Sequence, residues 1–263
     1  MTYSNLDLTI SRQIARIVIN RPEVYNAVSL ETAKELCDVA NRLGGDRSVR
    51  VIMLTGAGDK AFSAGGDVAT FAQDPETVGL LLKEITGYLH MAIARLAWGN
   101  APVLGVVNGV AAGGGLSLVA ACDLVIAADS ATFTSAFTKI GLVPDGSVSY
   151  FLPRIIGIRR AAELFICNRV LTAAEALDWG LVNRVVPRAD LATAAEAWAL
   201  DLASGPTQAY GGIKRLLLHS LTESLESQME HETREIVSMA IGSDGREGVR
   251  AFVEKRKPRF AGQ

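Results

Sequence analysis

Two apolar runs, "VRVIMLTG" (residues 49–56) and "PVLGVVNG" (102–109), each lead into a stretch of glycine and alanine, "AFSAGGDV" and "VAAGGGLSL". Runs of this length, rich in β-branched residues and nearly free of polar breaks, describe strands covered on both faces. "GGGLSLVAACD" reads as a buried helix and "LVIAA" as another buried strand, so the middle of the chain alternates strand with helix. That alternation selects the α/β class. Upstream, "LDLTI" and "IARIVIN" read as a hairpin ended by Arg21-Pro22. Ser29 then caps an amphipathic helix over "SLETAKELCDVANRLGG" that stops at Gly44-Gly45. A further helix is expected over "PETVGLLLKEITGYLHMAIARLAW".

From about Arg159 the pattern becomes helical, with one short strand at "RVVP". A chain of 263 residues suits one core with a helical appendage, divided as 1–195 and 196–263. A net charge of −2 offers no broad field to nucleic acid or to an anionic membrane, so an anionic ligand has to meet a local cluster such as "VEKRKPRFAG". Cys37, Cys122 and Cys167 are odd in number and lack C-x-x-C spacing, which suits reduced thiols. His90, His219 and His231 are scattered and read as surface or packing residues, so no metal site is expected. The first residues carry no secretory pattern and no window spans a bilayer, so the expected location is cytoplasmic.

Glycines after neighbouring buried strands leave backbone N–H groups free to meet an anionic oxygen, and two such donors converging on one point form an oxyanion hole. The alternatives are weaker. "GVAAGGG" is not G-x-G-x-x-G and lies in mid-chain, which argues against a dinucleotide fold, and "AFSAG" fails G-x-S-x-G at its first position. Asp67, after the first glycine pair, reads as a helix cap, and Asp123 reads as structural.

Five segments, "INRPEVYNAVS", "KAFSAGGDV", "NGVAAGGGLSLVAACDLVIAA", "IGLVPDGSVSYFLPRIIG" and "REGVRAFVEKRKPRF", resemble in order and spacing the enoyl-CoA hydratase/isomerase (crotonase) superfamily. The resemblance covers nearly the whole chain. It implies a crotonase-like α/β spiral of ββα units with a C-terminal helical trimerisation region, and a homotrimer or dimer of trimers. It also implies an acyl-CoA thioester as substrate, with no separate cofactor. By position it makes the N–H groups of Gly66 and Gly114 the oxyanion-hole donors. Ala64 falls at a contact to the adenine part of CoA, and Lys255 at a phosphate or ribose contact often supplied by the adjacent subunit.

Hydratases of this family resemble two-glutamate catalysts, and here the two glutamate positions hold Ser117 and Phe137. Neither side chain does general acid–base work at neutral pH, so both are assigned to the substrate pocket. Asp145, in the turn "PDG", is the carboxylate left in a matched position. On local chemistry it is a turn residue or N-cap. In the family register it resembles the acidic residue of the isomerase branch, the 1,2-epoxyphenylacetyl-CoA and 3,2-enoyl-CoA isomerases. An apolar surround of Phe137, Ile140, Leu142 and Val143 is expected to raise its pKa. The reading is an acyl-CoA isomerase with Asp145 as single base; a hydratase-like enzyme and a non-catalytic acyl-CoA-binding homologue are the alternatives. The acyl pocket is expected to involve "ATFAQDPETVG" and the neighbourhood of Ser135.

Overall fold

A computed structural model describes residues 2–72, 74 and 76–263. Strands β1 (Leu6–Ser11) and β2 (Ile14–Ile19) pair antiparallel across Arg12 and Gln13, both at positive φ, the geometry a two-residue hairpin loop needs to match strand twist. Ser29 caps helix α1 (Leu30–Gly45) by accepting from the Thr32 N–H at 3.2 Å. Strand β3 (Val51–Gly56), short strand β4 (Ala61–Ser63), one-turn helix α2 (Val68–Phe71) and long helix α3 (Val78–Trp98) follow. The helix expected from residue 75 thus starts later, and Gln73 and Pro75 of the expected pocket segment lie outside the described residues. Next come β5 (Val103–Val107), β6 (Val110–Ala112), α4 (Gly114–Ala120), β7 (Leu124–Ala128), β8 (Thr132–Thr134), α5 (Val148–Ile156) and α6 (Ile158–Cys167). Strand β9 (Leu171–Thr172), α7 (Ala173–Asp178), β10 (Arg184–Val186) and α8 (Leu191–Ala203) lead to α9 (Thr207–His219), α10 (Leu225–Ile241) and α11 (Ser243–Val253).

The strands sort into a six-stranded sheet, β1-β2-β3-β5-β7-β10, parallel from β2 onward, and a four-stranded sheet, β4-β6-β8-β9. Side-chain alternation divides the large sheet between two cores. Ile52, Leu54, Val103 and Val107 face α1 and α3, where Leu36, Val39 and Leu89 are buried. Val51, Met53, Leu104 and Val106 face Leu191, Ala195, Trp198 and Ala199 of α8. Each such fully buried aliphatic side chain contributes about 1.5–3 kcal/mol, which is why these strands carry no polar alternation. The small sheet was not legible beforehand, since strands of two or three residues show no periodicity.

The expected boundary at 195/196 falls inside α8, which belongs to the core of the large sheet. α9 is fastened too. The Lys214 ammonium, buried, donates to the Leu96 and Ala101 carbonyls at 2.9 and 3.1 Å and pairs with Asp123 at 2.7 Å. Burial pushes the Asp123 carboxyl up, and Lys214 pulls it back down. By contrast α10 has no buried residue, and Leu225, Ile236, Val237 and Ile241 along it are exposed. Among the described residues no helix is long and apolar enough to cross a membrane.

Candidate active site

β4 and β6 run parallel and deliver their two glycine loops side by side. Gly65 sits at φ 91°, and a Cβ there would stand 2.7 Å from both the Ala112 carbonyl oxygen and the Gly114 nitrogen. A Cβ on Gly115 would lie 2.1 Å from the Ser63 carbonyl oxygen. Glycine is therefore required here for close approach of two backbones. Val28 ties the first loop down, donating to the Gly65 carbonyl at 2.7 Å and accepting from the Asp67 N–H at 3.2 Å. Between those bonds the Gly66 N–H is left over, and the Gly114 N–H, first in α4, has no turn before it. Among the described residues neither amide meets an acceptor. Asp67 stands at the N-cap position of α2 but makes no side-chain cap bond there; its carboxylate pairs with Arg21 at 3.0 Å.

Gly66 and Gly114 open into a cavity of about 380 Å3. Its remaining walls are mostly apolar, from Val68 and Phe71, from Leu82, Ile85 and Leu89 of α3, and from Phe137, Ile140, Leu142 and Val143, with Thr86 and Lys139 the polar side chains besides Asp145. Asp145 is the one acidic side chain among the described residues lining it. The carboxylate does not cap α5, whose N-cap position is Ser147 without a side-chain bond. Half-buried Asp145 has its pKa raised, by burial first, with His90 nearby pulling the other way. A base whose ionised form is poorly solvated is a stronger one near neutral pH. A larger cavity, about 610 Å3, lies beneath α9 near Asp123 and Lys214 and includes none of Gly66, Gly114 and Asp145.

The positions expected from the sequence divide. Ala64 and Phe137 line the cavity beside the glycines, as do Phe71 and Ala136 from the two expected wall segments. Ser117 does not. It is fully buried, and its hydroxyl donates to the Asp145 backbone carbonyl at 2.7 Å, behind the turn instead of inside the pocket. Lys255 lies two residues past the end of α11, exposed and at φ 53°, and is not among the cavity walls. The basic tail is partly neutralised, since Arg256 is held by Glu247 and Glu254. His90, read from sequence as a surface or packing residue, is exposed, and it also accepts the Gly146 N–H at Nε2, 3.1 Å away. No local signal could reveal this, because the partners lie 56 residues apart.

Two glycine amides without an acceptor and one carboxylate thus share a single, mostly apolar cavity, where such donors can meet an anionic oxygen. The family model described as enoyl-CoA hydratase/isomerase matches residues 9–263. The chain belongs to the enoyl-CoA hydratase/isomerase family, and it is an enzyme of that family with the crotonase fold. It is 40% identical to 4-chlorobenzoyl coenzyme A dehalogenase-2 of an Arthrobacter species over 86% of this chain and 82% of that one. It is 36% identical to 1,2-epoxyphenylacetyl-CoA isomerase of Escherichia coli K12 over 97% of both. The crystal structure of an enoyl-CoA hydratase from Bacillus anthracis superposes with a TM-score of 0.92 at 31% identity, covering 99% of this chain and all of that one.

Proposed function

We propose that the enzyme isomerises acyl-CoA thioesters, moving a double bond from C3 to C2 with Asp145 as single base. The observation that carries this is the one carboxylate sharing a cavity with both free glycine amides. Asp145 takes a C2 proton, the electron pair moves into the thioester carbonyl, and the enolate oxygen accepts from Gly66 and Gly114. The same carboxyl returns the proton at C4, so no water is added, and no metal or redox group is needed. Each amide contributes about 3–4 kcal/mol to the enolate, because it is aimed before charge develops. Adding water across the double bond takes a second acid–base group, whose two family positions hold Ser117 and Phe137. Ala64 at the cavity mouth contacts the adenine end of CoA, and Lys255 of an adjacent copy its phosphates. The exposed apolar row of α10 supports assembly into a trimer or dimer of trimers.

A second reading follows from the same uncommitted carboxylate beside Phe71 and Phe137 and from the dehalogenase relative. Here Asp145 adds to the halogen-bearing ring carbon of an aryl-CoA, the amides hold the extra electron pair on the thioester oxygen, halide leaves, and water hydrolyses the aryl ester. One panel separates the readings. A 3-enoyl-CoA converted to the conjugated 2-enoyl thioester, seen by its absorbance, supports isomerisation. Chloride release from 4-chlorobenzoyl-CoA supports substitution, formation of a water adduct identifies a hydratase, and inert binding of all of them identifies a non-catalytic homologue.

A further inference from the structure

The turn that carries Asp145 is held by other helices at a single peptide unit, whose carbonyl also accepts the Val148 N–H at 3.4 Å. The Ser117 hydroxyl donates to the Asp145 carbonyl at 2.7 Å, and the N–H of that same peptide, on Gly146, donates to His90 Nε2 at 3.1 Å. One bond comes from α4 and the other from α3, so the peptide plane is gripped from both sides. The grip has work to oppose. Gly146 and Ser147 stand at φ 62° and 68°, and left-handed backbone at a serine needs outside contacts to persist. Gly146 lies so close to α4 that a Cβ on it would stand 2.8 Å from the Ser117 Cβ. Asp145 lines the cavity, whereas neither Ser117 nor His90 does.

We propose that Ser117 and His90 are positioning residues, which together clamp the Asp145–Gly146 peptide and thereby set the direction of the Asp145 carboxylate. The proposal rests on the reading of Asp145 as the reacting carboxylate. It accounts for Ser117 standing where two-carboxylate relatives place a glutamate. A longer side chain there would enter space filled by the backbone of Gly146, so this position holds the single base in place and cannot supply a second one. α4 then presents a donor amide at Gly114 and, one turn later, the anchor of the base turn, which ties base and oxyanion hole to one rigid element. His90 serves this bond as an acceptor through Nε2.

The test uses the full chain and 3-hexenoyl-CoA in deuterated water, following both double-bond shift and deuterium exchange at C2. Ser117→Ala and His90→Phe are each expected to lower kcat roughly 10- to 100-fold while KM stays within about twofold, the signature of a misaimed group in an intact pocket. His90→Gln, which keeps an acceptor without an imidazole, is expected to recover most of the loss. The double variant Ser117→Ala/His90→Phe should lose less than the product of the single losses, since both act on one peptide. Wild-type kcat in Ser117→Ala would overturn the clamp. So would His90→Gln being as slow as His90→Phe, since the imidazole would then take part in the chemistry itself. If Ser117→Ala fails to fold, the His90 pair decides alone. Full turnover in Asp145→Asn sinks the assignment of the base, whereas a dead Asp145→Asn beside an unaffected Ser117→Ala sinks only the clamp.

Discussion

The proposed donor half of the site, Gly66 and Gly114, is held mainly backbone to backbone, whereas the proposed base half is one side chain on a turn held by other side chains. The difference decides what each half tolerates. In the donor half, adjacent loops leave no volume for a Cβ at Gly65 or Gly115, so geometry and folding are one property there. In the base half, the carboxylate hangs in a cavity and makes no bond on which the fold depends. Its loss removes chemistry and leaves packing intact.

The largest expected effect comes from breaking the donor half. Gly115→Ala forces a methyl against the Ser63 carbonyl group, backbone on backbone, where neither partner can rotate away. Overpacking of this kind costs about 1–3 kcal/mol or more, so thermal unfolding should show a clearly lowered Tm together with lost turnover. An unchanged Tm would mean that the two loops move apart easily, and the contrast between the halves would collapse.

Asp145→Asn should do the opposite. Turnover is expected to drop by roughly 10²–10⁴, the range general-base catalysis supplies. Stability at pH 7 should hold or rise, and the sign follows from burial. The folded-state pKa lies above the ordinary 3.8, so the fold binds the proton more tightly than the unfolded chain does. The stability of the wild type therefore falls as pH rises from about 3.8 through the raised value, and the amide abolishes that loss. Activity runs the other way, failing as pH drops through the same raised value because the base becomes protonated. Paired Tm and kcat profiles against pH check both signs.

Gly114→Ala sharpens the comparison within the donor half. A Cβ there meets Gly65 and Gly66 only at 3.6–3.9 Å, ordinary contact, and the N–H survives. A folded protein with turnover reduced less than tenfold is expected, as both N–H donors are kept. The smallest effect belongs far from both halves. Glu247 accepts two bonds from Arg256 and one from the Arg259 amide, which hold its carboxyl at about 2. That lies below its ordinary 4.5, so its contribution is complete above 4.5 and fades as pH falls toward 2. Glu247→Gln should speed hydrogen exchange at the Arg259 amide at neutral pH, with kcat unchanged.

The close approach of the two glycine loops could be read from the sequence because glycine's conformational freedom is local. A glycine run after a buried strand already states that backbone will come close to something, and the five ordered motifs place Gly66 and Gly114 without any coordinates. Ser29 as a helix cap was equally legible, since donor and acceptor lie three residues apart. Sequence also reduced the catalytic carboxylates to one, by what stands at 117 and 137. It does not reveal that Ser117 lies behind the turn, that the Asp67 carboxylate pairs with Arg21, or that exposed His90 accepts the Gly146 N–H. Each of these depends on partners far along the chain: Asp145 is 28 residues from Ser117, Arg21 is remote from Asp67, and α3 brings His90 to Gly146. Residue type and spacing determined which groups are available for chemistry, because backbone conformation and ionisable character are local properties. Only the tertiary structure decided that a serine and a histidine serve the carboxylate's turn, because hydrogen bonds between distant segments exist only once the helices carrying them have packed.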